Sequence, residues 1–465
     1  MVNSRNCSRS RQTSPGEWRP GLSDLARYRV FVLGLGRSGV AASRFLLDAG
    51  STVLGWDDSE RVKQSAVVRQ LKQAGLDVSR RSAAARVDLV VASPGIAGDH
   101  PILRQFARRG VPVVDELDLA SLYIPGPLVC VTGTNGKSTT TALIAKMLSA
   151  AGQTVFCGGN IAPGRPLSAA LRLRRRDWYV AEVSSFQLER ARWLSPHVAL
   201  ILNITPDHLD RHGSLEEYAE CKFRLIYRQR PDDFAILAWD DPLVRAARDR
   251  GHAKKLFFSD RRCVKGAYLK RGQIWFEREQ VMPATDIRLH GRHNRLNALA
   301  ALCAAKVIGV GNGPLRMVLR SFVGLPHRLE TVRVLYGVEY VNNSMCTNPA
   351  AGARSLESFD RRVVLIAGGR EKGLSPAEFA DAIARRAEWV VLLGENRERM
   401  AQELRSRRFF RFELADGLRN AVKAAKSRAR SGDVVLFSPG FASFDMFRDF
   451  ADRGRRFRDE VRRLR

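Results

Sequence analysis

The chain has 465 residues, 45% hydrophobic and 27% charged, with a formal charge of +29. That length predicts roughly three domains of about 100–200 residues, and the composition excludes disordered and fibrous classes. No apolar run reaches the ~18 residues of a membrane span, so membrane insertion is not expected. The positive charge would suit an anionic partner, but Lys and Arg are spread along the whole chain without interleaved aromatics, and nucleic acid is not expected either. The N-terminal MVNSRNCSRSRQ is basic but has no apolar segment behind it, unlike a secretory signal. Seven scattered cysteines with no C-x-x-C pair argue against disulfides and structural zinc, and for a reducing, cytoplasmic setting.

In chain order, residues 1–27 are rich in Arg, Ser, Pro and Gly and read as a disordered basic arm. Order is expected to begin with a strand at Tyr28, a helix to Ala49 and a second strand over Ser51–Trp56, a βαβ unit, with a further buried strand over Val87–Ala92. The Pro-Gly-Pro stretch after Tyr123 reads as a linker, and a new strand from Leu128 opens a second α/β pattern. That pattern has strands near Trp178–Glu182 and Val198–Asn203 and a helix over about Leu215–Arg228; residues 256–290 read as antiparallel hairpins. A third α/β pattern follows Gly324-Leu-Pro-His, with strands at Val363–Ala367, Trp389–Leu393 and Val434–Ser438. Phe450, Phe457, Val461 and Leu464 fall at helical spacing, so the arginines around them read as the wet face of a closing helix. The predicted architecture is α/β in three domains: a Rossmann-like domain over 28–120, a central P-loop ATPase-like domain over 121–324 and a C-terminal Rossmann-like domain over 325–465.

Three constellations carry chemistry. Gly34-Leu-Gly36-Arg-Ser38-Gly39 matches G-x-G-x-x-G between a strand and a helix, with Asp57 about 20 residues on, a spacing that lets backbone approach a diphosphate at a helix N-terminus. A nicotinamide dehydrogenase or a bare tight turn would look the same, and the kind of diphosphate stays open. Gly133-Thr134-Asn135-Gly136-Lys137-Ser138-Thr139 follows a buried strand and begins a helix, the context of a phosphate loop, although position 131 is Val where the standard pattern has its first Gly. Its N–H groups would cradle phosphates, Lys137 would reach the terminal ones and the Ser138 hydroxyl would ligate Mg2+. Glu182 at a strand end and the Asp207, His208, Asp210 cluster suit Mg2+ better than zinc, since no thiolate joins them.

GLGRSG, SPGI, GTNGKST, GGNI, EVSSFQLE, LNITPDHLDRH, GRHNRLN, GLPHRLE and FSPGFASFDMF follow one another from about residue 28 to the end. In this set and order they resemble the Mur ligases of peptidoglycan synthesis. GTNGKST behind a glycine-loop domain resembles the D-glutamate-adding branch, not the alanine-adding one (GTHGKTT) or folylpolyglutamate synthetases (GTNGKGS, without the first domain). The resemblance implies an ADP-forming ligase that activates the carboxylate of UDP-N-acetylmuramoyl-L-alanine with ATP as an acyl phosphate, couples it to glutamate and works as a monomer. It implies that Gly36, Ser38, Asp57, Ser93, Pro94 and Gly95 serve the uridine diphosphate, that Asn160 and His208 approach the muramoyl group, and that Ser138, Glu182 and His208 hold Mg2+. His293, Asn294, Asn297 and Arg328 would meet the nucleotide, and Lys222 would carry a CO2-derived carbamate as a further magnesium ligand. Lys137, Glu182, His208 and Lys222 form the implied catalytic set, and Thr347, Lys372, Ser443 and Phe450 the amino-acid site.

Four positions depart from the family pattern. Its D-S-K-A-T-N reads Asn343-Ser344-Met345-Cys346-Thr347-Asn348 here, so the lysine that faces the amino-acid carboxylate is Met345 and the aspartate is Asn343. Losing such a charge-assisted hydrogen bond costs about 1.5–3 kcal/mol, so either another cation (Lys372, helped by Arg370) substitutes or the acceptor is L-glutamate or another amino acid. Cys346 stands where the family has alanine, and G-N-I-G reads Gly159-Asn-Ile-Ala-Pro-Gly. A pseudoenzyme scaffold is the alternative from another class, and the intact Lys137, Glu182, His208 and Lys222 argue against it.

Overall fold

The computed structural model describes residues 21–79, 86–161, 164–289, 291–371, 373 and 375–465, the side chain of Asp210 excepted. The chain divides into two compact units between Ser321 and Phe322. The first unit carries two sheets, the second one.

The first sheet is wholly parallel, its strands ordered in space as Asp77–Val78, Thr52–Trp56, Arg29–Leu33, Leu89–Ala92 and Val113–Asp115. Its strands are apolar without alternation because both faces are covered. Val30, Val32, Val53, Leu89 and Val91 pack with Phe45 and Leu46 on one side. Phe31, Leu33, Leu54, Val90 and Ala92 pack with Leu103 and Phe106 on the other. Strand order reverses between Arg29–Leu33 and Leu89–Ala92, which opens a crevice at their carboxyl ends, where the glycine loop and Ser93 lie. Residues 1–20 of the expected arm lie outside the described residues, and over Leu22–Arg27 the expectation of disorder fails. A 3-10 helix forms there because Leu25 enters the core and its carbonyl accepts the Ser51 hydroxyl at 2.7 Å.

The second sheet runs Val155–Gly159, Trp178–Glu182, Leu128–Thr132, Val198–Ile201, Phe234–Ala238, Lys254–Ser259 and Gly266–Lys270 in parallel. Gln273–Phe276 and Glu279–Pro283 then close it as antiparallel hairpins. Helix Lys137–Ala150 packs across it, buried along most of its length.

In the second unit the sheet order is Glu330–Leu335, Val338–Asn342, Val434–Phe437, Val363–Ala367, Ala387–Leu392 and Phe412–Leu414, parallel apart from the first pair. Helix Phe450–Arg462 lays Phe457 and Val461 against it. The reading of that helix's arginines as uniformly wet fails at Arg453, which is 1% exposed because it falls on the apolar side, four residues before Phe457. No described helix is long and apolar enough to cross a membrane.

Candidate active site

At the crevice of the first sheet the glycine loop is held from both sides. Asp57 accepts the Leu35 N–H at 2.7 Å, and the Ser93 hydroxyl donates to the Gly34 carbonyl at 2.8 Å. Gly39 lies so close beneath the loop that a Cβ would come 1.8 Å from the Gly34 carbonyl oxygen. Asp57, Ser93 and the glycines thus share one site, while Gly36 and Gly95 face open space. Arg211 donates to the carbonyls of Pro94 (3.3 Å) and Ile96 (3.4 Å), and Arg190 to that of Ser93 (3.4 Å), so the Ser93–Ile96 turn is tied to residues after the second sheet's strands.

The phosphate loop follows the buried strand Leu128–Thr132 and turns into helix Lys137–Ala150 through Gly136 at φ +83°, where a Cβ would come 2.2 Å from Asn297 Oδ1. Asn203 grips its tip with a whole amide: Oδ1 accepts the Asn135 N–H at 2.7 Å and Nδ2 donates to the Asn135 carbonyl at 3.0 Å. Thr134 is fixed by the Thr205 N–H, which donates to its hydroxyl at 3.0 Å. Lys137 Nζ curls back to the carbonyls of Gly133 and Thr134, both at 2.9 Å.

Four predicted residues converge beside this loop. The Ser138 hydroxyl donates to Glu182 Oε2 at 2.5 Å, and Asn160 Nδ2 to Glu182 Oε1 at 3.1 Å. Lys222, reaching in from helix Leu215–Tyr227, donates to the Gly133 carbonyl at 3.1 Å, with its ammonium 4.3 Å from the centre of the Tyr218 ring. It is 1% exposed; burial above all, with Lys137 adding to it, pulls its pKa from the ordinary lysine range down to about 7.

The remaining predicted residues are placed less tightly. His208 takes φ +54°, sits 3.6 Å from Asp207 and rests its ring 4.9 Å from that of Phe186. His293 and Asn294 start helix Arg292–Val307, and Asn297 turns its amide toward the loop. Among the described residues no three His, Cys, Asp or Glu side chains are grouped to hold a metal. The hydroxyl and carboxylate of Ser138 and Glu182 are hard oxygen donors that fit Mg2+ and not zinc.

In the second unit, Arg328 lies in the turn before Glu330–Leu335, and Ser443 is 2% exposed. Asn343 points inward: its Nδ2 donates to the Ser438 hydroxyl at 3.1 Å and its Oδ1 accepts the Leu329 N–H at 3.3 Å. Thr347 and Phe450 are half-buried, and Lys372 lies outside the described residues. Sequence reasoning missed Asn203, Arg190 and Arg211. The position of Asn203 at a strand end was a usable signal.

A glycine-rich loop ending in lysine and serine, on a parallel sheet with a strand-end carboxylate beside it, defines a P-loop α/β protein. Residues 28–115 match the Mur ligase MurD-like N-terminal domain, 131–305 the Mur ligase middle domain and 327–441 the Mur ligase glutamate ligase domain. The chain belongs to the Mur ligase family. It is 43% identical over 450 residues to a UDP-N-acetylmuramoylalanine–D-glutamate ligase of Pelotomaculum thermopropionicum, covering 95% of this chain and 98% of that one. A ligase of the same name from Koribacter versatilis is 39% identical over 453 residues, with the same coverage. Among solved structures, UDP-N-acetylmuramate–alanine ligase from Thermotoga maritima shares the fold at TM-score 0.55 and 20% identity, covering 94% of this chain and 99% of that chain.

Proposed function

We infer that this protein joins D-glutamate to UDP-N-acetylmuramoyl-L-alanine, consuming ATP and releasing ADP and phosphate, in the building of peptidoglycan precursors. Relatives of that name match it across nearly their whole length. The observation that carries the reading is the convergence of Lys137, Ser138, Glu182 and Lys222 on the mouth of the Gly133 loop.

The chemistry follows from the weakness of a carboxylate as an electrophile. The muramoyl-alanine carboxylate attacks the γ-phosphorus of ATP, the bond to ADP breaks, and an acyl phosphate results. The loop's N–H groups hold the phosphates, and Lys137 moves from its two carbonyls to the transferring group. The glutamate amine then adds to the acyl carbon, loses a proton, and the tetrahedral adduct collapses with departure of phosphate. Magnesium held by Ser138, Glu182, His208 and a carbamylated Lys222 would offset charge on the phosphoryl oxygens. For that carbamate the neutral Lys222 amine adds to CO2, forming an N–C bond and releasing a proton; its burial supports this by lowering its pKa to about 7, so that a large share of the amine is neutral near neutral pH.

Ser38, Asp57 and Ser93–Gly95 would take the uridine diphosphate, Asn160 and His208 the muramoyl group, and His293, Asn294, Asn297 and Arg328 the nucleotide. Thr347, Lys372, Ser443 and Phe450 would take glutamate. Met345 and the inward-turned Asn343 favour a second reading, a ligase of the same mechanism with L-glutamate or another acceptor.

Phosphate release with ATP, Mg2+, bicarbonate and UDP-N-acetylmuramoyl-L-alanine, with amino acids added singly and product masses measured, decides between them. Turnover with D-glutamate alone is the expected result. Turnover with another amino acid alone selects the second reading, and silence with all of them overturns both.

A further inference from the structure

One arginine of the helix Phe450–Arg462 never reaches water. Arg453 is 1% exposed, whereas Arg455 and Arg456 two and three residues on are exposed. Its Nε donates to the Ser344 hydroxyl at 3.0 Å, one terminal nitrogen to the Phe441 carbonyl at 3.0 Å, and the other to the carbonyls of Ser344 (2.8 Å) and Cys346 (3.5 Å). These partners are neutral oxygens: they satisfy the donors but bring no counter-charge of their own into a low-dielectric interior. Asp445, whose field reaches the guanidinium, gives one oxygen to the Glu395 N–H at 2.9 Å.

The partners of Arg453 lie on the segments that bear the proposed acceptor contacts. Residues 344–346 lead into Thr347, Phe441 leads to Ser443, and the Ser344 hydroxyl bonded to Arg453 donates in turn to the Phe450 carbonyl at 2.7 Å. The 369–370 segment is drawn to the same place: Arg370 and Ala442 exchange N–H bonds at 2.9 and 3.1 Å, and a Cβ on Gly369 would come 3.4 Å from an Arg453 nitrogen. Met345, where the lysine of related chains stands, sits between two residues whose carbonyls Arg453 holds.

We propose that Arg453 is a positioning residue of the acceptor site, locking together the segments that carry Thr347, Ser443 and Phe450, and that its charge, which none of its hydrogen-bond partners offsets, selects an amino acid with a side-chain carboxylate in place of a lysine at 345. The proposal rests on the ligase reading above and names what gives that site its acidic specificity. Loss of the lock weakens any acceptor, and loss of the charge, which acts through the interior with little screening, weakens an acidic one about tenfold to a hundredfold more.

The test compares glutamate with its neutral isostere glutamine, reading kcat and KM for Arg453→Gln, Arg453→Lys and Arg453→Gln combined with Met345→Lys. Acyl-phosphate formation without acceptor is followed by borohydride trapping. For Arg453→Gln the expected result is a KM raised for both acceptors, by about tenfold to a hundredfold more for glutamate than for glutamine, with acyl-phosphate formation within about threefold of the parent. Adding Met345→Lys should return the preference. Equal rises in KM for both acceptors, with preference unchanged, would show a merely structural part and overturn the proposal. If Arg453→Gln fails to fold, Arg453→Lys decides: it should keep the preference, and its loss with the charge retained overturns the proposal. An inactive parent chain overturns the ligase reading with it, whereas an active parent with unaltered preference in the variants overturns this proposal alone.

Discussion

Ser138 and Glu182 meet hydroxyl to carboxylate across 2.5 Å, joining the first turn of the phosphate-loop helix to the end of the neighbouring strand. The strands that lead to them pair in parallel, Val131 opposite Glu182, so both side chains open on one edge of the sheet. Glu182→Gln keeps an oxygen for the Ser138 hydroxyl but removes the negative charge. We expect kcat for phosphate release to fall at least about a hundredfold, with a melting temperature within about 2 °C of the parent. Activity within threefold of the parent would take Glu182 out of the chemistry.

Lys222 offers a pH-dependent readout. With its pKa brought down to about 7 by burial, the amine is charged below that value and neutral above it, and only the neutral form adds CO2. Carbamate formation should therefore set in as pH rises through about 7, visible as a bonded carbon signal after addition of 13C-bicarbonate. Lys222→Arg stays charged at every accessible pH, and we expect it to lose that signal together with about a hundredfold or more in kcat. A signal that survives the substitution would place the carbamate on a different lysine.

Asp118 ties the helix Glu116–Tyr123 to a distant loop, accepting the N–H groups of Arg192, Trp193 and Leu194, each at 2.7 Å. Asp118→Ala strands three donors and should cost about 3 kcal/mol or more at pH 7, read by denaturant unfolding. The charge can be tested separately. Burial raises the Asp118 carboxyl from an ordinary 3.8 to about 6, so the stability that goes with its proton is full below the unfolded value and is lost as pH rises through the folded one. The stability difference between parent and Asp118→Asn should thus move against the parent by about 3 kcal/mol between pH 4 and 6 and stay level above. A difference that does not change with pH would mean that this carboxyl does not titrate with a raised pKa in the fold.

Gly39→Ala probes the glycine loop without removing a polar side chain. The added carbon would come 1.8 Å from the Gly34 carbonyl oxygen, which must move with the helix or the loop. We expect a loss of about 2 kcal/mol or more, and a loss of affinity for uridine diphosphate measured by calorimetry at a temperature where the variant is folded. Unchanged affinity in a folded variant would separate this loop from diphosphate binding.

Strands and glycine-rich turns were legible because their signals are local. Val363–Ala367 is apolar at every position, as a parallel strand covered on both faces must be, and Trp178–Glu182 is placed by its apolar run alone. The glycine loops were legible for a related reason: close backbone packing, as at Gly39 and Gly136, excludes any side chain and leaves its mark in the residue type.

Buried charges were not legible from composition or periodicity where their surroundings come from far along the chain. Lys222 belongs to Leu-Glu-Glu-Tyr-Ala-Glu-Cys-Lys, whose pattern alone reads as a wet helix face; only the family resemblance singled it out, and its amine ends beside Gly133, 89 residues earlier. Asp118 meets N–H groups 74 to 76 positions away, and Arg453 meets Ser344 at a distance of 109. The sequence by itself determined the parallel sheets, the two glycine-rich turns and the family, since these depend on neighbours within a few residues and on their order. Only the tertiary structure decided which charges are buried and what they hold, because the cost of removing a charge from water depends on what the fold packs against it.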